Sequence, residues 1–164
     1  MKNVKFFLLL LFCQGASATP SLEAERTLGT APELGLTLQY LVPNHLPDFE
    51  VPVTAFGIHI GIPVFSQTIQ LQAVYGGGDK ISLYNIEAAF RLNIPTPFFT
   101  SFVFAGGHYI HWGYARRDQS FFGPLTGLGF YFPMARNFKM GLGMKIYLPQ
   151  KTILEFGGGF AFLI

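Results

Sequence analysis

Large apolar residues recur at every second position along most of this chain. In the final segment, Leu154, Phe156, Phe160, Phe162 and Ile164 alternate with small or polar residues. A period of two is typical of a β-strand with one apolar face, whereas the 3.6-residue period of a helix is weak throughout. The alternation predicts eight strands, at Leu34–Val42, Val53–Ile62, Gln67–Tyr75, Ile81–Ile94, Phe99–Ala115, Leu125–Phe132, Phe138–Leu148 and Thr152–Ile164.

The predicted strands have two distinct faces. One face is continuously apolar; on the second strand it carries Phe56, Ile58 and Ile60. The other face is rich in glycine and amide side chains and poor in charge. In a soluble ligand-binding barrel the polar face would lie outside and carry many Lys and Glu residues, with the apolar face lining a cavity. So few charges suit the narrow lumen of a small barrel instead, which predicts that the apolar face meets lipid.

The composition also favours a membrane barrel. Charged residues make up 12% of the chain and apolar residues 50%, whereas a soluble domain has about 25% charged residues. Beyond the first 18 residues no run approaches the roughly 18 uninterrupted apolar residues of a transmembrane helix. A closed barrel satisfies the backbone in lipid without such a helix. We therefore predict an all-β fold, an eight-stranded antiparallel up-and-down transmembrane β-barrel.

The N-terminus has the features of a secretory signal. Lys2 and Lys5 precede a short apolar core, and Ala16–Ala18 has the small-residue pattern of a cleavage site. We expect Met1–Ala18 to be cleaved. A lipoprotein signal ending at Cys13 is the alternative.

The chain beyond this signal divides into two parts. Thr19–Glu33 is polar, and we predict that it forms a flexible periplasmic lead-in. We predict that Leu34–Ile164 forms the barrel domain. Removing Lys2 and Lys5 leaves nine basic and nine acidic residues. The mature chain is then neutral, and nothing indicates a nucleic-acid partner.

The final strand, with aromatic residues on one face up to Ile164, resembles the closing strand of bacterial outer-membrane β-barrels. The chain resembles the small barrels of the outer-membrane protein X and outer-membrane protein A transmembrane-domain type; the resemblance is architectural and covers Leu34–Ile164. It implies a monomer in the outer membrane of a Gram-negative-type bacterium, in contact with outer-membrane lipid and lipopolysaccharide. It also implies that the barrel-assembly machinery recognises the last strand. That family usually ends in Phe or Trp, whereas this chain ends in Ile164.

Both termini of such a barrel lie in the periplasm, which fixes the side of each connection. The predicted outer loops are Pro43–Pro52, Gly76–Lys80, Arg116–Gly123 and Pro149–Lys151. The predicted periplasmic turns are Pro63–Ser66, Pro95–Phe98 and Pro133–Asn137. The residues expected at the outer aromatic girdle are Tyr40, Tyr75, Tyr84, Trp112 and Tyr114.

The fifth strand fits the pattern least well. Its expected lipid face contains Phe102, Phe104, Ile110, Trp112 and Tyr114, together with His108. An imidazole is unfavourable in lipid away from the interface. We interpret the adjacent Gly106-Gly107 pair as a candidate β-bulge that re-aims the side chains.

Four charged residues on the polar faces are the main candidate site. Lys145 and Glu155 lie equally far from a predicted turn near Gln150, which places them opposite each other as a cross-strand ion pair. Glu87 and Arg91 share a face of the fourth strand, within bridging range. We predict that these four residues form a structural network that fills the lumen, and that Glu155→Ala would leave Lys145 buried and unpaired. A narrow pore through the lumen is the alternative.

The predicted outer rim offers two further candidates. Arg116 and Arg117 are a possible contact for lipopolysaccharide phosphates, or ordinary solvated loop charge. A lipid A-modifying enzyme is a further alternative. Some eight-stranded outer-membrane barrels modify lipid A; the palmitoyl-transferase type uses His, Asp and Ser near the outer rim, and a resemblance to it would place His45, Asp79 and Ser82 there. The His-x-Ser pair of the deacylase type does not occur. We predict a non-enzymatic protein with a structural or surface-interaction role and no cofactor or metal.

Overall fold

The structure, a computed structural model, describes residues 31–43, 51–65, 67–78, 81–114, 117–148 and 153–164, without the side chains of Gly78, Tyr114 and Arg117. The predicted signal and lead-in, apart from residues 31–33, therefore lie outside the described residues. Within the described ranges, no helix is long and apolar enough to cross a membrane. The strands are β1 (Glu33–Pro43), β2 (Val53–Val64), β3 (Gln67–Gly78), β4 (Ile81–Pro95), β5 (Thr100–Tyr114), β6 (Arg117–Ala135), β7 (Phe138–Tyr147) and β8 (Ile153–Leu163).

The eight strands form one closed antiparallel barrel in sequence order. Each strand pairs with the next, and β1 pairs with β8 to close the sheet. We call the end where Glu33 pairs with Leu163 the terminal end, and the end where Pro43 pairs with Ile153 the loop end. The predicted fold class and the number of strands are confirmed.

The largest difference from the predicted strands is at β6. This strand begins at Arg117 and runs for 19 residues, whereas the sequence predicts a strand that begins at Leu125. The predicted outer loop Arg116–Gly123 is therefore wrong from Arg117 onward. Tyr114 pairs directly with Arg117, so β5 and β6 form a hairpin that is much longer than the sequence predicts. A second, smaller difference is at the start of β1. Glu33 belongs to this strand and not to the predicted lead-in.

Side chains alternate between the outside and the lumen on every strand. On β1–β4, β7 and β8, the outward face is the apolar face that the sequence predicts. Phe56 is 67% exposed and Phe160 is 48% exposed, whereas the intervening Gln39 and Glu155 are each 2% exposed. The alternation thus sorts the polar residues into the lumen.

The face prediction for β5 is wrong. Phe102, Phe104, Ile110 and Trp112 are 0–6% exposed and fill the lumen, and His108 is buried beside them. The pairing of β4 with β5 runs without interruption through Gly106 and Gly107, so the predicted bulge is absent there. Among the described strand pairs, a register shift occurs between Pro133 and Ala135 instead. His108 packs edge-on against Tyr147 and does not meet lipid.

The lumen has two zones. Buried apolar side chains fill the loop end, and we call Leu41, Val53, Leu83, Trp112 and Ile153 the apolar plug. Each of these five residues is at most 4% exposed. Below the plug, toward the terminal end, the buried side chains are mostly polar and charged.

Candidate functional site in the barrel lumen

The first group of buried charges lies directly below the plug, and we call it the carboxylate cluster. Lys145 Nζ lies 2.7 Å from Glu87 Oε2 and 3.1 Å from Glu155 Oε1. The Tyr147 hydroxyl donates to Glu87 Oε1 at 2.6 Å and contacts a Glu155 oxygen. Asn85 Nδ2 donates to Glu87 Oε1 at 2.6 Å. Two carboxyl groups are therefore held around one ammonium group, with neutral donors on the remaining lone pairs.

The second group lies nearer the terminal end, and we call it the Glu33 cluster. Arg91 Nη1 lies 2.6 Å from Glu33 Oε1, and Lys139 also forms an ion pair with Glu33. Arg91 donates further hydrogen bonds to Tyr131 (2.7 Å) and Thr68 (3.2 Å). The Lys139 ammonium lies 4.1 Å from the centre of the Tyr131 ring, within range of a cation–π interaction. Here one carboxylate serves two cations.

The two clusters together balance their charges. Three carboxyl groups face three cations, and each of the six residues is at most 7% exposed. Buried ions are costly to desolvate, so their mutual attraction and the hydrogen bonds to the free lone pairs are needed to offset that cost. A side-chain relay joins the clusters: Gln70 accepts from Arg91 at 3.0 Å and donates to Gln72 at 3.1 Å, and Gln72 donates to Glu87 at 3.5 Å.

Glycines on neighbouring strands make space for the bulky lumen residues. Glu33 lies directly opposite Gly61, and a methyl group at Gly61 would overlap the Glu33 side chain. Tyr131 lies opposite Gly141 in the same way. Large side chains and glycines therefore alternate around the barrel, which packs so narrow a bore without clashes.

The four residues that the sequence singles out fall into both clusters. Lys145 lies opposite Glu155 in the pairing of β7 with β8. Glu87 and Arg91 share the inward face of β4, but each pairs with a different strand: Glu87 with Lys145 and Arg91 with Glu33. Lys145 has two carboxylate partners, so loss of Glu155 alone does not leave it unpaired.

Glu33 and Lys139 are not among the residues that the sequence singles out. The alternation of the strands could have identified both residues. Lys139 is six residues from Lys145 on β7, and Glu33 is six residues from Gln39 on β1, so each lies on the inward face of its strand. Arg116, His45 and Asp79 lie outside the described residues, and for Arg117 only the backbone is described. In the described ranges, no group of three or more His, Cys, Asp or Glu residues is arranged to hold a metal ion.

No family model matches the chain, and no curated protein matches its sequence. Solved structures match its fold. Neisserial surface protein A superposes with a TM-score of 0.65 and 12% identity, over 81% of this chain and 96% of that chain. The N-terminal β-barrel domain of OprF from Pseudomonas aeruginosa gives 0.61 and 16%, over 80% and 97%. Ail, the attachment invasion locus protein of Yersinia pestis, gives 0.53 and 10%, over 82% and 97%. The chain therefore has the fold of the small eight-stranded outer-membrane β-barrels.

Proposed function

We propose that this protein is a non-enzymatic integral outer-membrane β-barrel, with a structural or surface-interaction role and a lumen filled by side chains. The observation that carries the proposal is the distribution of charge. Among the strand side chains that the structure describes, which do not include that of Arg117, one charged side chain, that of Asp118 near the loop end, faces outward, whereas six face the lumen. A soluble barrel would have the opposite arrangement, because water favours charge on the outside.

The apolar outer surface supports a lipid environment. Large apolar side chains are exposed on all eight strands, including Leu36 (63%), Ile86 (60%) and Phe162 (56%). Soluble monomers rarely expose contiguous apolar patches of more than a few hundred Å². Exposed tyrosines at positions 40, 75 and 84 lie toward the loop end, where aromatic girdles contact lipid headgroups.

A closed lumen is favoured over a pore by two features. The apolar plug blocks the loop end with Trp112 and Leu83, and the two charged clusters occupy the bore below it. An ion on this path would have to displace buried apolar side chains and separate buried ion pairs. Both steps are costly in a low-dielectric interior.

Three measurements test the proposal. Folded barrels resist unfolding in detergent, so we expect unheated and boiled samples to migrate differently on a gel, and the protein to remain with outer-membrane vesicles after a carbonate wash. In planar bilayers, protein that passes these two checks should give no discrete conductance steps. Regular single-channel steps would favour the pore. Recovery in the soluble periplasmic fraction, with no gel shift, would exclude a membrane barrel.

We further propose that Arg116 and Arg117 contact lipopolysaccharide phosphates. Support comes from the backbone, because Arg117 begins β6 at the loop end of the barrel. A matched control is Arg136, an exposed arginine in the turn at the terminal end. The double variant Arg116→Ala/Arg117→Ala should weaken binding to lipopolysaccharide, whereas Arg136→Ala should not. Equal affinities for the unsubstituted protein, the double variant and Arg136→Ala would exclude the contact.

A further inference from the structure

A groove lies on the outward face of the barrel, across β3, β4 and β5. Its volume is about 520 Å³, and small residues on these three strands line it: Ala73, Ala88 and Gly107. Ala88 pairs directly with Gly107. Two of the larger residues in the lining, Ile86 and Phe122, are 60% and 78% exposed. The groove is therefore a depression between bulky side chains, on the surface that we place in lipid.

The bottom of the groove is open space. A methyl group added at Gly107 would meet nothing closer than the Gly123 carbonyl oxygen, at 3.8 Å. The volume of the groove lies in the range of about 300–1,000 Å³ that is typical of sites for small molecules. Atoms that line an empty space lose their dispersion contacts. A hydrocarbon chain in the groove therefore makes more contacts than a chain on a smooth barrel wall.

Three polar side chains extend the outward face from the groove toward the loop end, and we call Tyr109, His111 and Ser120 the Ser120 trio. Tyr109 also lines the groove. The Tyr109 hydroxyl donates to Ser120 Oγ at 3.1 Å, and His111 Nδ1 lies 3.0 Å from Ser120 Oγ. Tyr84 packs beside His111, with ring centroids 6.3 Å apart. Hydrogen-bonding groups and an apolar groove thus form one continuous site.

The chemistry of the Ser120 trio narrows the kind of chain that fits. The hydroxyl groups of Tyr109 and Ser120 both donate and accept hydrogen bonds, and the second ring nitrogen of His111 adds a further polar atom. These groups can bind a carbonyl and a hydroxyl, whereas a plain hydrocarbon chain has neither. An acyl chain with a hydroxyl group near its carbonyl matches both parts of the site. The β-hydroxyacyl chains of lipopolysaccharide have this chemistry.

We propose that the groove binds one β-hydroxyacyl chain of lipopolysaccharide, whose carbonyl and hydroxyl groups hydrogen-bond to the Ser120 trio. The proposal rests on the proposed outer-membrane location, which places the loop end in the leaflet that contains this lipid. The order of the groups supports it. Arg117 begins β6 at the loop end, Ser120 follows three residues later, and the groove lies below. Phosphates, acyl carbonyls and hydrocarbon follow in the same order in lipopolysaccharide.

Two other uses of the site fit less well. A second copy of the chain would cover the Ser120 trio with an outward face that is mostly apolar at this depth, and would offer it few polar partners. Hydrolysis of the bound chain needs a nucleophilic serine and a base that a third group orients. Within the described residues, no hydrogen bond or ion pair joins His111 to a carboxylate.

Native mass spectrometry of the detergent-purified protein tests the proposal, because one spectrum separates bound lipopolysaccharide, bound phospholipid and dimers. The heat-dependent gel shift is checked first, so that failure of the barrel itself is recognised separately. After incubation with lipopolysaccharide and phosphatidylglycerol together, the unsubstituted protein should retain one lipopolysaccharide. Gly107→Phe places a ring in the groove and should lose most of this lipid. Leu36→Phe, on the outward face of β1 across the barrel, is the control and should retain it.

A pair of fatty acids tests the Ser120 trio. β-Hydroxymyristate should displace lipopolysaccharide at about fivefold lower concentration than myristate, the ratio for one additional hydrogen bond. Ser120→Ala should reduce this preference, whereas Thr54→Ala, which removes an exposed hydroxyl from β2, should not.

Five results would overturn the proposal. Three concern recognition: retention of lipopolysaccharide by a folded Gly107→Phe protein, equal displacement by the two fatty acids, and preferential retention of phosphatidylglycerol. A dimer that Gly107→Phe dissociates would show that a second copy fills the groove. Recovery of lipopolysaccharide that has lost an acyl chain would show hydrolysis instead of binding.

Discussion

Glu87 on β4 and Lys145 on β7 meet across the lumen, with Glu87 Oε2 and Lys145 Nζ 2.7 Å apart, although their strands are not neighbours in the sheet. The contact crosses the bore and is independent of the backbone pairing. It links opposite walls of the barrel. Removing this lysine should therefore affect the whole lumen and not a single hairpin.

Lys145→Met should strongly destabilise the barrel. It leaves Glu87 and Glu155, both at most 3% exposed, without the cation that pairs them. Breaking a buried pair in this way costs about 3–5 kcal/mol. Urea unfolding in lipid vesicles, followed by the gel shift, measures the change in the free energy of unfolding.

Glu155→Gln is the matched comparison for Lys145→Met. Lys145 retains Glu87 in this variant, and one ion pair of zero net charge remains. The loss should be near the roughly 1 kcal/mol of a single hydrogen bond. A loss of unfolding free energy as large as that of Lys145→Met would show that Glu87 does not form an effective ion pair with Lys145.

Glu33→Gln should also lower the stability, because Glu33 is the common partner of Arg91 and Lys139. Two cations, each at most 1% exposed, would face each other without a carboxylate. We expect a loss of about 3–5 kcal/mol in urea unfolding. Asp118→Asn, at an exposed position near the loop end, serves as the control and should change little. Similar losses for both variants would argue against the Glu33 cluster.

Gly61→Ala tests the packing of the lumen. The added methyl group would overlap the Glu33 side chain, and overpacking typically costs about 1–3 kcal/mol. The control is Gly107→Ala, because a methyl group there meets nothing closer than 3.8 Å. Thermal unfolding in the same detergent should separate the two variants. Equal midpoints would mean that the lumen has more space than the structure indicates.

Phe65→Asn should stabilise the barrel. Phe65 has a φ of 58° in the turn after β2, and this left-handed conformation costs a bulky residue about 1–2 kcal/mol. Asn tolerates that conformation. Phe98→Asn is a control for the loss of an exposed aromatic ring, because Phe98 lies in the next turn at the terminal end and is 77% exposed. A higher urea midpoint is expected for Phe65→Asn relative to Phe98→Asn, and the reverse order would contradict the assigned strain.

For most strands the sequence predicts which face is directed outward, because the two faces of the strand differ in hydrophobicity. On β8, Phe156 and Phe160 alternate with Glu155 and Gly159, and parity alone assigns each side chain. On β5 both faces carry apolar residues over much of the strand, so hydrophobicity does not indicate which face is directed into the lumen. Size decides instead, since Phe102 and Phe104 lie opposite Gly129 and Gly127 on β6.

These Phe–Gly contacts can be predicted only if the register of the β5–β6 hairpin is known. The sequence does not indicate that register, because β6 begins with polar residues. Arg117, Asp118 and Gln119 read as a loop, although they continue the strand. Contacts across the bore are hidden for a related reason. Glu87 and Lys145 are 58 residues apart, and their pairing follows from the closure and stagger of the whole barrel, not from any local pattern.

The fluorescence of Trp112, the single tryptophan of this chain, tests the central claim that the barrel spans lipid with its apolar face outward and its lumen filled. The protein is folded into vesicles with and without brominated acyl chains, and is compared with Trp112→Phe/Ile86→Trp, which moves the indole to the outward face of β4. We predict strong quenching for the outward tryptophan and much weaker quenching for Trp112, which lies in the apolar plug and is 1% exposed. Strong quenching of Trp112, or no quenching of either protein, would contradict the account.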